Sequence, residues 1–204
     1  MDKEYNTLSN GVEIPVHGFG TMSVRGDTVK SAIKAGYRLI DTAQTYNNEA
    51  EVGIAIRDCI VENIVKREEL FIVVKLHPNL QQNYQEIFAA FETSLGKLNI
   101  TYADALLIHR PKIDRARKYD DMYWKDVLKT YWQAFERLYH EGKTRSIGVS
   151  NFTPYHIKQL TGQIDPMLNQ IEFHPGWQQE EVLEYCTEKN IAILSWSVLM
   201  DRVC

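Results

Sequence analysis

The sequence predicts an α/β fold in a single domain, residues 1–204: a parallel (β/α)8 TIM barrel lacking part of its circuit. Three observations predict it. Seven short apolar, β-branched runs alternate with amphipathic helical patterns; the links between them are short; and most of the runs end in a polar residue. Alternation with short loops requires parallel strands joined by right-handed crossovers, and strands that are nearly all apolar must be covered on both faces. An open doubly wound sheet would meet those two conditions as well. The strand ends decide between them. Asp41, Lys75, His109, Asn151 and His174 each close a different run, and only a barrel brings such ends to one mouth.

The elements follow in order. "LSNGVEIP" (8–15) reads as a hairpin, with Asn10-Gly11 suited to a type I′ turn. The barrel strands are expected in "VHGFG" (16–20), "RLIDTA" (38–43), "LFIVVKL" (70–76), "ALLIH" (105–109), "SIGVSN" (146–151), "LNQIEFH" (168–174) and "IAILSWS" (191–197). Helices fall between them. "TVKSAIKAGY" (28–37) puts Val29, Ala32, Ile33 and Gly36 at helical spacing, with Asp27 as its cap. Longer amphipathic patterns occupy 49–63, 83–99 and 123–143; Thr153-Pro154 opens a further helix, and 179–190 carries the last.

Composition bounds the function. The chain is 44% hydrophobic and 25% charged, enough apolar residues for one core, and its net charge of −4 with no basic stripe argues against nucleic acid. No apolar run approaches the ~18 residues of a membrane span, and "MDKEYNTLSN" has no signal-peptide h-region. Cys59, Cys186 and Cys204 form no CxxC pair, which fits reduced thiols and a cytoplasmic location. His140, His156 and His174 lack metal-ligand spacing, so no metal is expected. In "HGFGTMS" (17–23) Ser23 stands where a dinucleotide fingerprint needs its third glycine.

The polar strand ends describe a reaction. Asp41 and Lys75 meet in the mouth as an ion pair, which removes most of the cost of burying either charge. Tyr46 lies on the loop after Asp41, and Lys75 beside it is expected to lower the phenol's pKa from ~10 by about one to three pH units. His109 can hydrogen-bond the same substrate oxygen. A phenol acid, a lysine to tune it, an acid to fix the lysine and an imidazole to orient a carbonyl together suit carbonyl reduction, for which a nicotinamide cofactor must bring the hydride. "KIDRARKYDD" (112–121) reads as a solvated loop bordering the entrance.

These residues carry a family resemblance. "GYRLIDTAQTYNNEAEVG" (36–53) resembles the first signature of the aldo-keto reductases, and "VVKL", "LLIHRP", "IGVSNF" and "NQIEFHP" follow in that family's order and spacing. The resemblance covers essentially the whole chain and implies the family's barrel. It implies Asp41, Tyr46, Lys75 and His109 as the catalytic tetrad, with Tyr46 as general acid. It places Asp41, Ser150, Asn151 and Gln170 against the cofactor, the last three on the nicotinamide carboxamide; Trp196, with Ser197 beside it, stacks on the ring, and Gly20 and Thr21 form the adjoining first-strand loop. The implied cofactor is NADPH, with NADH as the alternative, and the substrate is a small-molecule carbonyl compound facing Tyr46, His109, Met22 and Arg110. Met22 and Arg110 replace common tryptophans; the smaller aromatic wall and added charge lead us to expect small polar or anionic carbonyls.

The last strand run is followed only by "VLMDRVC". The eighth strand–helix unit and the family's C-terminal loop are not found, so a C-terminally truncated member is expected, with the first and seventh strands as open edges. The rival expectation is a catalytically impaired barrel that binds a partner or self-associates through those edges.

Overall fold

The computed structural model describes residues 4–78, 80, 83–111 and 121–199. A two-stranded antiparallel hairpin, β1 (Tyr5–Thr7) with β2 (Glu13–Pro15), precedes seven strands. These are β3 (Gly18–Gly20), β4 (Leu39–Asp41), β5 (Phe71–Leu76), β6 (Ala105–Ile108), β7 (Ile147–Ser150), β8 (Leu168–Glu172) and β9 (Ala192–Trp196). Every neighbouring pair is parallel and the spatial order equals the chain order.

The sheet is curled, and one side-chain bond shows it. Lys75 Nζ on β5 donates to Gln170 Oε1 on β8 at 2.9 Å. In a flat sheet these strands, three apart, would stand roughly 14 Å from each other. Only a sheet rolled toward closure lets them touch across its interior. Among the described residues β3 and β9 remain the two ends of the sheet. The expected incomplete (β/α)8 barrel, with the first and seventh strands as its edges, is therefore the observed architecture.

The helices wrap the outside: α1 (Gly26–Lys34), α2 (Glu49–Val61), α3 (Tyr84–Leu98), α4 (Asp121–His140), α5 (Pro154–Ile157) and α6 (Glu180–Glu188). Consecutive helices pack side by side from α1 to α4. β5 is buried at all six positions, as a strand covered on both faces must be. At the N-terminal end of the barrel the hairpin acts as a cover. Leu8 and Ile14 join the core, and Asn10 Nδ2 donates to the carbonyl of Arg145, just before β7.

Beside the N-terminal ends of β5 and β7, Asp104, fully buried, accepts from Arg67 Nη2 at 2.8 Å, Arg145 Nη1 at 2.9 Å and the Ile72 N–H at 2.9 Å. This carboxylate ties three segments together at the end of the barrel away from the polar strand ends.

Two local expectations need correction. The hairpin loop is wider than a two-residue type I′ turn: residues 8–12 form it, and only Gly11 has positive φ, at 84°. Asn10 instead accepts from the Val12 N–H through its side chain, an Asx turn that removes the need for a left-handed Asn. Asp27 does not cap α1. The helix starts at Gly26, Arg25 is its N-cap, and Asp27 lies inside the first turn, where its charge complements the helix dipole. The loop expected at 112–121 falls almost entirely outside the described residues. Cys59 and Cys186 are buried free thiols, and among the described residues no helix is long and apolar enough to cross a membrane.

Candidate active site

The parallel register gathers the polar strand ends. Asp41 is opposite Val73, two residues before Lys75 on β5, and alternate residues of a strand share a side. Lys75 therefore emerges beside Asp41. Its Nζ lies 2.5 Å from both Asp41 carboxylate oxygens, and Gln170 Oε1 is its third acceptor. Lys75 is fully buried, so its three ammonium protons must be met by protein, and these three oxygens meet them. Burial pushes its pKa down from the ordinary lysine value while Asp41 pulls it back up.

Tyr46 ends a 3-10 turn, Gln44–Tyr46, that follows β4. Lys75 Nζ lies 5.3 Å from the centre of its ring, and the His109 ring meets it edge-on at 5.8 Å. The phenol behaves opposite to the sequence expectation. Its pKa is raised well above the ordinary tyrosine value, first by burial and then by the charge of Asp41, with Arg110 pulling the other way. The reason is the ion pair itself: a lysine held against a carboxylate presents a nearly neutral pair, so burial dominates.

His109 follows β6. Its pKa is pushed down to about 3, by burial first and then by the positive charges of Lys75, His77 and Arg110. The imidazole is therefore neutral at physiological pH. Thr45 Oγ1 lies 3.3 Å from its Nδ1, and the His77 ring meets it edge-on at 5.7 Å. Sequence reasoning passed over both neighbours. The signals were present: His77 is two residues beyond Lys75 and so on the same side of the chain, and Thr45 immediately precedes Tyr46.

A second group adjoins the first. Asn151, in the left-handed region at φ 62°, donates to the His109 carbonyl at 3.1 Å and to Ser150 Oγ at 3.0 Å. Trp196 Nε1 donates to Asn151 Oδ1 at 3.0 Å, leaving the indole about one-third exposed. Gln170, paired with Ser150 in the β7–β8 register, accepts from Lys75 and keeps its amide N–H groups as donors. A Cβ built on Gly20 meets nothing within 4 Å, so the end of β3 faces open space.

Thr21, Ser197, Met22 and Arg110 are the remaining expected residues. The backbone N–H and hydroxyl of Thr21 both donate to the carbonyl of Asp41, so this side chain anchors β3 to β4. Ser197 follows Trp196 at φ 57°. Met22 and Arg110 are exposed; Arg110 acts on Tyr46 and His109 through its charge, whereas Met22 projects to solvent. Among the described residues no group of three or more histidines, cysteines or carboxylates could hold a metal ion.

A neutral imidazole and a protonated phenol lie side by side over a buried ion pair, and an amide-rich ledge with an exposed indole adjoins them. The chain as a whole is similar to known proteins. The sequence model of the aldo/keto reductase family matches residues 18–202. The chain is 45% identical to an uncharacterized oxidoreductase, YtbE, of Bacillus subtilis, over 96% of this chain and 68% of that protein. It is 44% identical to the glyoxal reductase of the same organism, over 98% and 68% respectively. Among solved structures, the Bombyx mori aldo-keto reductase in complex with NADP superposes with a TM-score of 0.86 at 33% identity, covering 97% of this chain and 67% of that one. The chain belongs to the aldo/keto reductase family, whose members are NAD(P)H-dependent oxidoreductases.

Proposed function

We propose that this chain reduces a small aldehyde or ketone to the alcohol, with Tyr46 as the proton donor and Asp41, Lys75 and His109 as its partners. The observation that carries the reading is the buried Asp41–Lys75 pair with Tyr46 and His109 gathered beside it. Glyoxal, the substrate named for one relative, fits the class of small carbonyl compounds.

The residues present fit a nicotinamide cofactor. Ser150, Asn151 and Gln170 offer the donors and acceptors that a carboxamide needs, the exposed Trp196 indole offers a stacking face, and the open space beside Gly20 leaves room at the first strand. When bound, the cofactor supplies the hydride that adds to the carbonyl carbon. The chain supplies the rest. The phenol of Tyr46, its pKa raised by burial, stays protonated across neutral pH and gives its proton to the carbonyl oxygen as negative charge grows there. A developing alkoxide is far more basic than a phenolate, so even a weakened phenol can transfer this proton downhill. Lys75 lies beside the phenolate left behind, but Asp41, which keeps Lys75 charged, also offsets most of its field, so the pair holds the site together more than it stabilises the phenolate. His109, neutral, donates a hydrogen bond that orients the carbonyl.

The experiment is NADPH oxidation with glyoxal by the wild-type chain and by Tyr46→Phe, alongside cofactor binding followed by tryptophan fluorescence. Turnover that falls by on the order of a hundredfold or more, with binding retained, supports the assignment. A Tyr46→Phe protein as active as wild type sinks it. A second reading, binding of a partner or of another copy through the ends of the sheet, draws on the partial exposure of Ala192–Ser195 on β9. Sedimentation that does not change with concentration removes the self-associating form of it.

A further inference from the structure

We infer that Thr45 is a positioning residue: its hydroxyl donates to His109 Nδ1 and so fixes the tautomer whose Nε2 carries the proton that a substrate carbonyl needs. The inference rests on the reading of His109 as the group that orients the carbonyl.

The bond is in place, with Thr45 Oγ1 lying 3.3 Å from Nδ1. Among the described residues no other hydrogen bond reaches either ring nitrogen, since Asn151 bonds the His109 backbone carbonyl. The other groups around the ring are placed differently. Lys75 is committed to Asp41 and Gln170, the Tyr46 and His77 rings stand T-shaped to it at 5.8 and 5.7 Å between centroids, and Arg110 acts on it through its charge. All the nearby cationic groups disfavour a second ring proton, so the imidazole carries one, and its position is what remains to be set.

Two arrangements are available. If Nδ1–H donated to Thr45, Nε2 would present a lone pair to the carbonyl oxygen, acceptor against acceptor. If Thr45 O–H donates to Nδ1, Nε2–H becomes a second donor beside the phenol, and both aim at the oxygen where charge develops. Thr45 is well placed to hold the second arrangement. It sits in the middle of the Gln44–Tyr46 turn, and Asn47 Nδ2 donates to its carbonyl at 3.2 Å, which steadies the backbone that carries the hydroxyl. One short turn thus presents the proton donor and aligns its partner.

The test is a long-range 1H–15N spectrum of the histidines, with His109 assigned by its substitution, for wild type, Thr45→Val and Thr45→Ser, together with steady-state kinetics on glyoxal. The expected wild-type spectrum shows a pyridine-like Nδ1 and a protonated Nε2. Thr45→Val, nearly isosteric, should mix the tautomers and lower kcat/KM on the order of tenfold, the worth of about one hydrogen bond, while Thr45→Ser restores both. Circular dichroism confirms that each variant is folded. A wild-type ring protonated on Nδ1 overturns the inference, and so does a Thr45→Val protein with unchanged tautomer or unchanged turnover. The underlying reading has its own arm. If His109→Ala keeps full turnover, the role of His109 fails; if His109→Ala is impaired and Thr45→Val is not, only the role of Thr45 fails.

Discussion

Replacing Asp41 with asparagine tests the centre of the site, because it leaves Lys75 charged and fully buried with no countercharge. The new side-chain amide still offers one oxygen and Gln170 a second, so the ammonium is solvated but no longer neutralised. Removing one partner of a buried pair costs about 3–5 kcal/mol. The structure also sets a ceiling on that cost. Lys75 can escape by losing its proton, and starting from the ordinary value of 10.5 this costs about 1.36 kcal/mol for each pH unit, or ~5 kcal/mol at pH 7. The ceiling falls to ~2 kcal/mol near pH 9. The sign follows from proton counting. With the folded-state lysine pKa depressed below the unfolded value, the unfolded chain binds more protons over that interval, so stability rises with pH. Urea unfolding of wild type and Asp41→Asn at both pH values, read by tryptophan fluorescence, should give a gap of about 3–5 kcal/mol at pH 7 that narrows to ~2 kcal/mol or less near pH 9. The double variant Asp41→Asn/Lys75→Met should recover much of the loss, since no buried charge remains. A gap under ~1 kcal/mol, or one that does not change with pH, would refute the account of Lys75 as an ammonium dependent on Asp41.

His109, with a pKa near 3, should leave no histidine inflection in kcat/KM between about pH 5 and 8. Its depressed pKa contributes stability that is complete above the unfolded value of 6.5 and is lost as pH falls toward 3, so His109→Ala should flatten the acid side of the stability profile. Arg110→Ala should raise KM for an anionic aldehyde several-fold, with a salt-sensitive difference, and leave a neutral one unchanged; equal effects on both would remove Arg110 from substrate selection. Gly53→Ala should destabilise by ~1–3 kcal/mol in thermal unfolding, because its Cβ would lie 2.4 Å from the Lys97 carbonyl oxygen at the α2–α3 contact. The better helix propensity of alanine, worth under ~1 kcal/mol, is too small to reverse that sign; an unchanged midpoint would mean that the two helices separate without cost.

The seven strands, their order and the convergence of Asp41, Lys75, Tyr46 and His109 were legible in the chain. Strand patterning is local, short links permit little but neighbouring parallel strands, and parallel strands all deliver their ends to one side. The pairing of Asp41 with Lys75 was legible too, since burying two opposite charges at adjacent strand ends leaves few alternatives. The direction of the Tyr46 shift was not. It depends on whether the charge of Lys75 reaches the phenol or is cancelled by Asp41, and on how deeply the ring is buried, and both are properties of the assembled mouth. Gln170 as the third acceptor of Lys75, Thr45 on the His109 ring, Trp196 tied to Asn151, and Asp104 joining Arg67 to Arg145 were likewise decided by tertiary structure. Each joins residues far apart in sequence across a rolled sheet or between its loops. By itself the sequence determined which groups stand at the strand ends; the curl of the sheet decided which of them touch and in what protonation state, because burial and partner geometry exist only once the chain has closed around them.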